Sequence, residues 1–299
     1  MAEELIIETA DVRKSYGSVQ ALVGLDLRVP RGAVCGLLGR NGAGKTTTIK
    51  VLLGMVRPTS GTARVFGLSA GDERASVEIR GRTAFVSEDK DLYGGMTVGE
   101  LIRFTAPFYP KWRADLASGH LSQLELRADA RVNDLSRGTR TKLALLIALS
   151  TGAELLILDE PTSGLDPAAT EQVLKILVKQ AGRDGTTVLF SSHHLADVEQ
   201  VADRIAIVDR GRVAVDGALD EVRARYKRIQ LVFDGDAPDA AFKARGVVAT
   251  RKQGRVLSVL ASDGERGVVA EARALQPKAV DVLPVTLKEI FLETVGVEN

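Results

Sequence analysis

Residues 39–46 read GRNGAGKT, which fits the spacing G-x-x-x-x-G-K-[ST]. Glycines so placed let successive backbone N–H groups turn inward around an anion, and a helix starting at once adds the positive end of its dipole. Lys45 is spaced to reach the outer phosphates of a nucleotide, and the Thr46 hydroxyl to ligate Mg2+. A second stretch, LLILDEP at residues 155–161, is an apolar run that ends in two carboxylates. Open α/β sheets bind ligands at the carboxyl ends of their strands. There Asp159 suits a Mg2+ shell, and Glu160 suits the polarisation of an attacking water. Taken singly, each stretch also reads as a glycine-rich turn or a solvated strand end. A third, LSRGTRTK at 135–142, puts Ser136 at a helix start with two arginines, Arg137 and Arg140, close after it. It reads either as a capped basic turn or as half of a site completed elsewhere.

The elements around these residues must place them. AVCGLLG before the glycine-rich turn is apolar throughout, as a strand buried on both faces should be, and a helix to about Val56 should follow. LIIETADVRKSYG and VQALVGLDLRVPRG read as strands closed by Gly or Pro-Arg-Gly turns. Residues 97–150 read as mostly helical, with Thr97 and Glu100 at capping-box spacing. From Ala153 the pattern alternates: strand ELLILDE, helix AATEQVLKILVKQA, strand TTVLFSS, helix LADVEQVA, then a hairpin around Asp209–Gly211. Alternation of this kind implies an α/β core with a mainly parallel sheet. After about Gly217 come shorter strands, IQLVF, VVATRKQGRVLSVLA and VDVLPV, with two helices. We therefore expect two domains, residues 1–218 with a helical subdomain at about 88–150, and a small α+β domain at 219–299.

Composition narrows the class. The chain has 299 residues, 45% hydrophobic and 26% charged, with 40 basic against 39 acidic side chains. The resulting net charge of +1 offers no surplus for nucleic acid or an anionic membrane surface. Its one cysteine, Cys35, lies in an apolar run and reads as a small buried hydrophobe in a reducing compartment. No apolar run approaches the ~20 residues of a membrane span, and the acidic start shows no targeting segment.

Together these motifs resemble the ATPase subunit of ABC transporters, over roughly residues 4–218. The resemblance implies a phosphate-loop NTPase core with a parallel sheet, an antiparallel β subdomain and a helical subdomain. It implies ATP and Mg2+ as ligands and a head-to-tail pair of subunits, identical or homologous. In that family the signature helix of one subunit closes over nucleotide held by the other. LSRGT occupies the signature place, so Ser136 and Gly138 would face a partner's γ-phosphate. The loop itself contributes Gly39, Asn41, Gly42, Ala43, Gly44, Lys45, Thr46 and Thr47. Tyr16 matches the aromatic that stacks on adenine, Asp166 in TSGLDP the residue that communicates across the pair, and His193 in SSHHLADVE the switch histidine; His194 reads as incidental.

Two positions depart from the commonest pattern. Glu88 in AFVSEDK stands where glutamine is usual, as a further candidate for Mg2+ and catalysis. Arg137 and Thr139 stand where glycine and glutamine are commonest. The motif order is similar to bacterial subunits that drive small exporters. This implies a polytopic membrane subunit as partner, a transported substrate touched by that subunit, no nucleic acid, and a location on the cytoplasmic face of the cell membrane. Phe104, Phe108, Tyr109 and Trp112 cluster where the family meets its membrane partner, and read equally as internal packing. Two other functions remain open on sequence: a soluble ABC ATPase, and a nucleotide-dependent switch with negligible turnover.

Overall fold

A computed structural model describes residues 4–295. The chain divides into two compact units, with the division between Val213 and Ala214. In the first unit, strands β1 (Leu5–Tyr16), β2 (Val19–Leu25) and β3 (Arg28–Pro30) precede β4 (Val34–Leu38) and helix α1 (Lys45–Leu52). Next come β5 (Ser60–Val65), β6 (Leu68–Ser69), α2 (Glu73–Gly81) and β7 (Thr83–Val86). A helical stretch follows, with α3 (Val98–Thr105), α4 (Ala114–Gln123) and α5 (Arg137–Ser150). The chain then alternates through β8 (Leu155–Asp159), α6 (Pro167–Asp184), β9 (Thr187–Ser192), α7 (Leu195–Val201) and β10 (Arg204–Asp209), and β11 (Arg212–Ala218) crosses the division.

The central sheet has the order β11-β10-β4-β9-β8-β7, and its four pairings from β10 to β7 run parallel. Every residue of β4, β8 and β9 is buried, which accounts for their unbroken apolar sequences. Alternate residues such as Cys35, Leu37, Leu155, Ile157 and Leu189 join a core with Ile6, Leu25, Ile49 and Leu52. Their neighbours Leu156, Leu158, Val188 and Phe190, which point the other way, are buried as well. An antiparallel sheet, β2-β1-β5-β6 with β3 on β1, supplies the strands read at the start of the sequence. In register, Leu38 lies beside Ser192 and Asp159 beside Ser191, so three strands release their chains at one edge.

One expectation needs correction. The helix after the glycine-rich turn stops at Leu52 and not near Val56, because Gly54 adopts a left-handed φ of 64°. The stretch 97–150 is mostly helical as expected, in three α-helices joined by turns, and its Thr97–Glu100 capping box is present. Between Pro58 and Met96 the structure holds β5, β6, α2 and β7, which are short and carry little periodicity.

The second unit comprises α8 (Leu219–Arg225), β12 (Tyr226–Val232), β13 (Val247–Gln253), β14 (Val256–Ser262), α9 (Glu265–Ala274), β15 (Ala279–Pro284) and α10 (Leu287–Thr294). It has one helix more than expected. Its antiparallel sheet, β13-β14-β12-β15, packs Ile229, Leu231, Leu257 and Val259 against Val268 and Ala272 of α9.

Far from the strand ends that carry the carboxylates, Glu154 enters β8 under a cluster of cations. Arg82 grips it with two hydrogen bonds of 3.0 and 2.9 Å, and Arg31 and Lys111 lie 3.4 and 3.7 Å away. The Arg82 hydrogen bond first, with the other cations, holds its pKa at about 2 against an ordinary 4.5. A depressed carboxylate pKa contributes stability that is complete above the unfolded value and is lost as pH falls toward the folded one. Glu154→Gln should therefore lower stability at pH 7 by about 1 kcal/mol, after discounting for solvent around a partly exposed group. In urea unfolding the gap between the two proteins should close as pH is lowered from 4.5 toward 2.

Candidate functional site

The glycine-rich turn leaves β4 and closes on the start of α1, as its sequence requires. Gly42 and Gly44 take φ values of 80° and 113°, which only glycine adopts without strain. Gly39 admits no side chain, since a Cβ there would lie 2.6 Å from the Val208 carbonyl. Ala43 packs into the core behind the turn. Lys45 is 7% exposed and folds back, donating to the Gly39 carbonyl at 2.7 Å. It thereby sits at the floor of a cleft of about 510 Å3.

The carboxylates meet the loop across the sheet edge. Thr46 Oγ1 donates to Asp159 Oδ2 at 2.9 Å, and Ser191 Oγ donates to the other Asp159 oxygen. Ser191 also accepts the Glu160 N–H at 2.9 Å. Glu160 Oε1 lies 3.7 Å from Lys45 Nζ, and Oε2 is 2.8 Å from His193 Nδ1. Its backbone is unusual: φ is +51° in a residue with a side chain, a conformation that costs ~1–3 kcal/mol and persists only where neighbours enforce it. A hydroxyl and a carboxylate side by side, Thr46 and Asp159, are the hard oxygen donors that Mg2+ takes, with waters and phosphates completing its shell.

Tyr16, Asn41, Thr47 and Glu88 line the same cleft with Lys45, Thr46, Asp159, Glu160 and His193. Tyr16 is 46% exposed at the end of β1, with the Lys14 ammonium 5.0 Å from its ring centre. Glu88 is exposed on the loop after β7. His194 turns to backbone duty, its N–H donating to Ser192 Oγ.

Ser136, Gly138 and Asp166 are not among the residues lining the cleft of a single chain. Ser136 caps α5, accepting the Thr139 N–H at 3.1 Å and pairing with the Thr139 hydroxyl. Gly138 lies against the loop after β8, where a Cβ would come 2.8 Å from the Gly164 carbonyl. Arg137 donates to Ser163 in the same loop. Asp166 caps α6 by accepting the Ala169 N–H at 2.9 Å, which lowers its pKa.

Two functional neighbours escaped the sequence reading. Ser191 ends an apolar strand, and its pairing opposite Asp159 is visible only once the register is known. Lys90 is 5% exposed and donates to the carbonyls of Glu160 and Asp159 at 2.8 and 3.4 Å. Burial pushes its pKa down, against the attraction of Glu88, Asp159 and Glu160.

The model of the ABC transporter family matches residues 22–163. The chain is 36% identical to the daunorubicin resistance ATP-binding protein DrrA3 of Streptomyces coeruleorubidus, over 95% of this chain and 93% of that protein. It belongs to the ATP-binding subunits of ABC transporters. This ABC ATPase is also 36% identical to the Nod factor export ATP-binding protein I of Cupriavidus metallidurans, over 73% of this chain and 72% of that one. Its fold matches the ATP-binding cassette MJ0796, solved as a dimer in a post-hydrolysis state with ADP and phosphate. That match has a TM-score of 0.65 at 24% identity and covers 71% of this chain and 98% of the other. ATP is thus the ligand of this ABC ATPase, and its hydrolysis is the driving reaction. Among the described residues no helix is long and apolar enough to cross a membrane.

The helical stretch of the ABC ATPase carries an aromatic surface. Phe104 is 42% exposed, Phe108 69% and Tyr93 67%, with ring centres 5.5–5.6 Å apart in edge-on pairs. Tyr109 and Trp112 instead pack half-buried against each other, so of the four aromatics named from sequence Phe104 and Phe108 are exposed, joined by Tyr93. Because Ser191 serves Asp159 and Glu160 at once, Ser191→Ala should cost about 2 kcal/mol in urea unfolding, through two buried polar groups left without partners.

Proposed function

We propose that this chain is one of a pair of motor subunits that hydrolyse ATP to drive export by a separate membrane protein. The observation that carries the reading is Glu160, held at the cleft between Lys45 and His193 by a backbone conformation its neighbours enforce. A water placed on its open side attacks the γ-phosphorus of ATP. The bond from that phosphorus to the β–γ bridging oxygen breaks, and the proton of the water passes to the Glu160 carboxylate. Lys45 meets the charge that grows on the β- and γ-phosphate oxygens. His193, bonded to Glu160 and half-exposed beside the cleft, orients the base and reaches toward the γ-phosphate. Thr46 and Asp159 would hold Mg2+, with Glu88 near its outer shell. The ion would neutralise phosphate charge and keep the two outer phosphates aligned.

The adenine would stack on Tyr16. Ser136 and Gly138, set away from the cleft of their own chain, would complete the cleft of a second copy or a close homologue. Asp166 would lie at the contact between the two. The dimeric cassette of the same fold supports this arrangement. Binding of ATP would favour the closed pair over the open one and so move the membrane partner. The export direction rests on the relatives in drug resistance and Nod factor export. Such work places the chain on the cytoplasmic face of the membrane, with residues 1–218 as the ATPase domain and 219–299 as an accessory domain. The exposed Tyr93–Phe104–Phe108 cluster is the surface we assign to the membrane subunit.

Glu160→Gln should lower ATP turnover by ~10²–10⁴-fold while leaving ATP binding intact, and should trap a pair of chains on Mg-ATP in size-exclusion runs. Turnover at the wild-type rate would remove Glu160 from the base role. A chain carrying Phe104→Ala and Phe108→Ala should keep its ATPase activity within about twofold, since neither ring lies near the cleft. It should no longer co-purify with its membrane subunit.

A further inference from the structure

Lys90 is a buried cation that the hydrolytic mechanism above does not use. The chain leaves β7 at Val86 and turns over Ser87–Lys90, where the Lys90 N–H bonds the Ser87 carbonyl at 3.3 Å. Lys90 itself has φ +50°, the left-handed region. This turn sends the side chain back beneath the end of β8, where its ammonium meets the carbonyls of Glu160 and Asp159. Taking an ammonium out of water to bond main-chain carbonyls is costly, and a buried charge so placed needs a reason.

The reason is the residue it holds. Glu160 combines a left-handed φ with a proline immediately after it, and Pro161 restricts its backbone further. Its N–H is fixed by Ser191 and its carbonyl by Lys90, so the peptide groups on both sides of the strained residue are pinned. The side chain can then leave in only one direction, toward Lys45 and His193. The same loop carries Glu88 on the cleft wall and reaches Tyr93 of the aromatic surface five residues later.

We propose that Lys90 is a positioning residue for ATP hydrolysis: its ammonium clamps the Asp159–Glu160 main chain in the turn that aims the Glu160 carboxylate, and ties that aim to the place of loop 87–93. A displacement of the loop withdraws the clamp and detunes hydrolysis. The proposal rests on the assignment of Glu160 as base, and the test separates the two.

Full-length Lys90→Met, Lys90→Gln and Lys90→Arg chains are compared with wild type for kcat, KM for ATP and melting temperature, alone and combined with Glu160→Gln. Removing the charge should lower kcat by ~10–100-fold, as a misplaced catalytic group does, with KM for ATP within about twofold. The Arg chain, which keeps a cationic donor, should recover most of the rate. Added to Glu160→Gln, Lys90→Met should reduce the residual rate by less than about twofold, because both changes act through one group. Wild-type kcat in the Met chain would overturn the proposal, as would a further full loss on top of Glu160→Gln. Parallel loss of nucleotide affinity, or failure of both the Met and Gln chains to fold, would assign Lys90 to general bracing and overturn it too. If Glu160→Gln alone turned over at the wild-type rate, the base assignment would fail instead, whatever Lys90→Met showed.

Discussion

A strand without an exposed residue ends here in two adjacent carboxylates, and charge so deeply placed must be answered by partners or else be neutralised. The answer is drawn from every neighbouring segment. The turn after β4 brings Lys45 and Thr46, the end of β9 brings Ser191 and His193, and the loop after β7 brings Lys90. A parallel sheet is the economical way to gather them, because its strands all discharge their following loops at the same edge. The topology β10-β4-β9-β8-β7 follows from that need as much as from the apolar content of the strands.

Lys45 is engaged by the Gly39 carbonyl and by Glu160. A triphosphate entering the cleft competes for the same ammonium. The lysine's present partners show what the phosphate must displace, and Glu160 is left with His193 as its closest side-chain partner. Ligand binding and the release of Glu160 from Lys45 are thus two aspects of one exchange of partners.

Much of this centre was legible because it is written in short, spaced residue types. GRNGAGKT and LLILDEP could be placed without knowing the fold, and the alternation of buried strands with helices supplied the sheet between them. What could not be read depends on contacts between distant segments. Ser191 looked like the fading end of an apolar strand until its register beside Asp159 was known. Lys90 looked like one more charge in a polar loop, because nothing in a sequence marks a left-handed lysine folding under a neighbouring strand. Gly54 did carry a legible stop for α1, yet the apolar residues beyond it argued for a longer helix. Gly138 was read as room for a phosphate, and within the chain that room is taken up by Gly164.

That last contact deserves to be followed mechanically. Where the start of α5 meets the loop after β8, a glycine faces a glycine carbonyl, and Arg137 lays its methylenes along Gly164 while its tip holds Ser163. In a paired molecule, a push on the helix tip from the nucleotide held by one chain would bear on the loop that follows the carboxylates of the chain owning the helix, so the two reaction chambers would share a common joint.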